Sequence, residues 1–152
     1  MSEVSIVPSG LYWIRMELPS FGIPDVKYEV LWLFSTYRFR YVACWPGYSW
    51  FAASGAWQYG MGRIHCRGRS HSFMDDFSEN YDKLPYTVAF TISADGQALL
   101  SIGKSPQHYA RLSPQLGGSF CTLNELNVPS RWQDFQQLML DIERRIGLAQ
   151  QV

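Results

Sequence analysis

A chain of 152 residues has the length of one domain and can bury roughly 68–70% of its unfolded surface, so a single globular domain over 1–152 is expected. The apolar set AVILMFWYC makes up 47% and DEKR only 17%, which excludes disorder. Thirteen Lys and Arg against thirteen Asp and Glu give zero formal charge, so no global field draws the molecule onto nucleic acid or an anionic membrane.

The three cysteines, Cys44, Cys66 and Cys121, are odd in number and far apart, unlike a disulfide-stapled secreted domain. The first ten residues lack the basic and apolar regions of a signal peptide, and no stretch reaches the ~20 apolar residues of a membrane span. A reducing, cytoplasmic location without membrane attachment is the expectation.

Along the chain, 10–18 alternates Tyr12, Ile14, Met16 and Leu18 with Leu11, Trp13, Arg15 and Glu17, the period of a strand. The segment 19–25 holds two prolines and a glycine and reads as a loop. From 28 to 45 the density of β-branched and aromatic residues predicts two antiparallel strands with a turn near Ser35 and Thr36. A helix over 24–37 is the rival, because Val26, Val30, Leu33 and Tyr37 also fit helical spacing.

The stretch 46–62 mixes Gly47, Gly55, Gly60 and Gly62 with Tyr48, Trp50, Phe51, Trp57 and Tyr59. Glycines among large rings suit a bulged or sharply turned strand. A short segment 63–66 and the polar run 67–71 follow. Phe73, Phe77 and Tyr81 then recur every four residues behind Ser72 and Asp75, predicting a short helix over 72–82. Alternation over 86–92, a turn at 93–96 and a return over 97–102 predict a hairpin. The span 105–119 reads as loop, and 120–123 as a short edge strand. Ser130 with Gln133 forms a capping box, and Trp132, Phe135, Leu138, Met139, Ile142 and Ile146 mark one face. Gly147 then stands at the C′ position, so an amphipathic helix over 131–146 is expected to pack on one face of the sheet. The sum is an α+β domain whose mainly antiparallel sheet has five to seven strands.

Catalytic motifs do not emerge. Ala53-Ser54-Gly55 lacks the leading glycine of a nucleophile elbow. The glycine-rich 55–63 has neither the Lys-Ser/Thr of a phosphate loop nor a strand-to-helix setting. His65, Cys66 and His71 with Cys121 supply metal-ligand types without zinc-site spacing, so neither metal nor cofactor is expected.

Arg63, Arg67 and Arg69 with His65 and His71 form a basic run. Asp75, Asp76, Glu79 and Asp82 follow as an acidic one, and the two runs either pair with each other or one of them is an interface. Arg beside Trp and Tyr is the composition of binding hot spots. Trp50, Trp57, Tyr59, Arg63, Arg67 and Arg69 are therefore the candidate partner-binding residues. The resulting expectation is a non-enzymatic protein-binding domain, most concretely a bacterial inhibitor or immunity-type protein that neutralises a toxin or enzyme. Nucleic acid is disfavoured as a partner. The alternative is a small-molecule-binding β domain, enzymatic or not, with aromatic residues lining a pocket.

Overall fold

The computed structural model describes residues 7–20, 23–45, 49–71, 84–103 and 106–112, together with Asn124, Val128 and eight residues between 134 and 145. Among these residues, eight antiparallel strands close a barrel in simple chain order. They are β1 (Gly10–Ser20), β2 (Ile23–Leu33), β3 (Arg38–Trp45), β4 (Ser49–Gly60), β5 (Arg63–His71), β6 (Pro85–Ile92), β7 (Ala98–Ser101) and β8 (His108–Arg111). Closure rests on the pairing of Tyr12 with Arg111 and Trp13 with Ala110, so each strand has a hydrogen-bonded neighbour on both sides.

This architecture overturns the expected α+β class with five to seven strands. The prolines at 19 and 24 do not break the chain into a loop: β1 and β2 stay paired through Pro19 with Pro24 and Ser20 with Ile23. The rival helix over 24–37 is likewise strand and turn. His108–Arg111, inside the expected loop, is the strand that closes the barrel. Asp134, Phe135, Gln137, Leu138, Leu140, Asp141, Arg144 and Arg145 have helical backbone. No continuous helix is an element of the described residues, and the amphipathic helix over 131–146 does not stand as one. The expected helix over 72–82 and edge strand over 120–123 lie outside the described residues.

Strand periodicity divides the core into two layers. Tyr12, Leu31, Phe39, Tyr41, Trp57, Ile64, Phe90 and Tyr109 point into the barrel and form one buried cluster. Leu11, Val30, Trp32, Phe34 and Val42 lie on the opposite face, packed in a second cluster with Leu112, Val128, Phe135 and Leu138. Every residue from Tyr28 to Phe34 is therefore buried. A strand covered on both faces reads as a continuous apolar run, which is the pattern of Val30-Leu31-Trp32-Leu33-Phe34.

Two devices shape the barrel near β5. Gly55 pairs with Gly68; a Cβ on Gly68 would overlap the Ser54 carbonyl oxygen and lie 2.6 Å from its carbon and 2.8 Å from Gly55 Cα. Only glycine at both positions lets the two backbones approach so closely. Met61 (φ 55°) and Gly62 (φ 76°) form the two-residue turn joining β4 to β5, the left-handed pair required by a type I′ hairpin. At the same end of the barrel, Arg111 donates to the carbonyls of Val7 (3.0 Å), Gly96 (3.2 Å) and Ser9 (2.5 Å). Its guanidinium also lies 5.7 Å from the centre of the Tyr12 ring, tying the N-terminal segment across the opening.

Candidate functional site

Alternation along β5 sorts its side chains cleanly. Ile64, Cys66 and Ser70 are buried, whereas Arg63, His65, Arg67 and Arg69 are exposed and stand in one outward row. Successive members of such a row are about 6.6–6.8 Å apart. The neighbouring strands contribute short side chains beside it: Ala56 opposite Arg67 and Gln58 opposite His65 on β4, then Thr87 opposite Arg67 and Ala89 opposite His65 on β6. The long arginine side chains, with His65 among them, thus form a ridge between two depressions. One, of about 300 Å³, is lined by Ala56, Gln58, His65 and Arg67. The other, of about 500 Å³, is lined by His65, Arg67, Thr87, Ala89 and Ile102 among others.

The cationic surface continues across β4. Arg38 on β3 is exposed and pairs with Ala56, so one rung of the barrel reads Arg38, Ala56, Arg67. Among the described residues, no carboxylate forms an ion pair with Arg38, Arg63, His65, Arg67 or Arg69.

Of the sequence-derived site residues, the structure brings Arg63, Arg67 and Arg69 together on this face. Tyr59 is 40% exposed near the β4–β5 turn. Trp57 is apart from them: it faces the interior, is 4% exposed, and its indole Nε1 donates to the Phe34 carbonyl at 2.9 Å. Trp50 belongs to β4, opposite Cys44, with a side chain outside the described residues. His65 and Cys66, adjacent in sequence, fall on opposite faces and cannot join in one ligand set.

Sequence reasoning missed two features. Met61 is fully exposed at the turn and Tyr37 is 62% exposed, with its ring 5.0 Å from that of Trp57. Both have positive φ, at 63° for Tyr37, where glycine or asparagine is usual. The second is inside the barrel. Glu29, 5% exposed, shares the inward parity of Leu31 and Leu33; it accepts a hydrogen bond from the Tyr41 hydroxyl and another from Tyr109 at 2.9 Å. Tyr86 stacks on Tyr41 at 5.6 Å. Burial first, then the nearby Glu29 carboxylate, holds the Tyr41 and Tyr109 phenols well above their usual range, so both remain donors. The signal for this cluster was one acidic residue in an otherwise apolar strand, at an inward position. Burial also pushes the Cys66 thiol up to about 12, leaving it protonated and a poor nucleophile.

Compared with protein-family models, curated proteins and solved structures, the chain matches none; the functional reading therefore rests on the geometry. No helix among the described residues is long and apolar enough to cross a membrane.

Proposed function

We propose that this chain is a non-enzymatic protein-binding domain, of the inhibitor or immunity type, that neutralises a toxin or enzyme by covering it. Its contact surface is the outer face of β5 together with the β4–β5 turn. The observation that carries the reading is the row of Arg63, His65, Arg67 and Arg69, exposed, aligned and without a carboxylate partner among the described residues. An arginine held outward by a rigid strand loses less freedom on binding than one on a loop, and its fork suits bidentate carboxylate recognition. Met61 in the adjoining turn adds a residue type enriched at protein interfaces, whereas Tyr59, opposite Ile64, shares the inward parity of Trp57 and is half-exposed at the barrel end rather than in the row.

The barrel interior supports this reading over small-molecule binding. An eight-stranded barrel has room inside for its own side chains or for one small ligand, and here Tyr12, Phe39, Ile64, Phe90 and Leu99 are fully buried and pack together as one interior cluster. A reducing cytoplasm fits the free, buried Cys66 thiol. The test is affinity capture from the native host, followed by titration of the captured protein's activity with the purified chain. A stoichiometric complex that silences the partner supports the proposal. A partner whose activity is untouched, or a chain that turns over a metabolite, overturns it.

A further inference from the structure

We infer that the outer face of β3–β5 is a trough that seats an acidic, extended segment of the protein partner, running along β4 over Ala56. The inference rests on the protein-binding reading and specifies what the surface recognises. The floor is made of short side chains, Ser54 and Ala56, which are outward-facing at the place where Gly55 and Gly68 draw β4 and β5 together. One wall is Arg67 and Arg69 on β5, and the other is Arg38 on β3. The two walls rise from strands about 9.6 Å apart, twice the interstrand spacing.

An extended peptide projects successive side chains to opposite sides, with same-side groups about 6.6–6.8 Å apart. That repeat equals the separation of Arg67 from Arg69 along β5. A run of consecutive acidic residues lying over Ala56 therefore sends alternate carboxylates to Arg67 and Arg69 and the intervening ones to Arg38. A single-stranded nucleic acid has a similar charge repeat, but it gains much of its affinity by stacking bases on aromatic rings. The outward residues Ser54, Ala56, Gln58, Thr87 and Ala89 offer none.

The experiment uses the full chain and a fluorescently labelled oligoglutamate peptide, with oligothymidylate as the rival anion. Filling the trough with Ala56→Phe removes no charge, and its exposed position on a strand leaves the fold intact, as thermal melts will verify. The expected result is at least a roughly tenfold loss of peptide affinity in Ala56→Phe, matched by Arg67→Gln/Arg69→Gln, with oligothymidylate bound more weakly than the peptide. Unchanged binding by Ala56→Phe would reduce the surface to bulk charge and overturn the inference, as would tighter binding of oligothymidylate or no peptide binding at all. Failure here stays distinct from failure of the protein-binding reading: that reading stands if a captured native partner loses affinity for Arg67→Gln/Arg69→Gln, and falls with the inference if it does not.

Discussion

Replacing Gly68 with alanine tests whether the close approach of β4 and β5 is built into the barrel. The added methyl would overlap the Ser54 carbonyl oxygen and sit 2.6 and 2.8 Å from two backbone carbons, where carbon atoms prefer about 3.5–4.0 Å. Relief needs a backbone shift of about 1 Å, because no flexible side chain is available to yield. Overpacking of this kind costs about 1–3 kcal/mol, and a weakened ladder hydrogen bond adds about 1 kcal/mol. A loss of about 2–4 kcal/mol is expected, lowering the melting temperature by roughly 5–15 °C for a domain of this size. Gly60 provides the control, since a Cβ there would meet nothing within 4 Å, and Gly60→Ala should hold or slightly raise stability. Urea unfolding followed by circular dichroism measures both. A change below about 1 kcal/mol in Gly68→Ala, or equal changes in the two variants, would refute the steric argument.

Three further outcomes follow from the same structure. The Cys66 thiol is raised from 9.0 to about 12, and the Tyr41, Tyr86 and Tyr109 phenols are also raised by burial. The folded chain then keeps protons that the unfolded chain releases, so the contribution of these groups is fully present below about pH 9 and is lost above it, from about pH 9 for the thiol and about pH 10 for the phenols, by up to about 1.4 kcal/mol per pH unit for each group. The phenolate absorbance of Tyr41, Tyr86 and Tyr109, isolated by difference against Tyr→Phe variants at those positions, should rise together with loss of circular dichroism; its appearance well before unfolding would contradict the buried placement. Met61→Asn puts a residue suited to left-handed φ at a fully exposed position, and should stabilise the chain by about 0.5–1 kcal/mol in urea melts while weakening partner binding. Glu29→Ala removes the acceptor shared by Tyr41 and Tyr109 and should cost about 2–4 kcal/mol, whereas Glu29→Gln, which keeps an acceptor oxygen, should cost less. Equal losses would show that the hydrogen bonds are not what Glu29 contributes.

Strands were legible where alternation and β-branched density coincided: β1, the pair in 28–45, and the hairpin of β6 and β7. The prolines at 19 and 24 concealed the end of the first hairpin, because turn composition says where a chain can bend, not where its pairing stops. β8 was hidden for another reason. Four residues between proline- and glycine-rich stretches carry too little periodicity to show that they close a barrel, and closure depends on contacts far apart in sequence. The basic run was visible as composition, but its alignment required β5 to be a strand through Arg69, which Gly68 obscured. Trp57 was assigned to the surface because residue type alone does not tell an interface ring from a core ring; its inward parity does. Arg38 escaped notice since it joins the site only through the register of β3 on β4.

The most direct test of the β5 surface is the affinity of the captured native partner for the intact chain against Arg67→Gln/Arg69→Gln, measured by calorimetry on proteins of equal thermal stability. A loss of at least about 1 kcal/mol, roughly fivefold in Kd, is predicted. Identical affinities for the two proteins would contradict it.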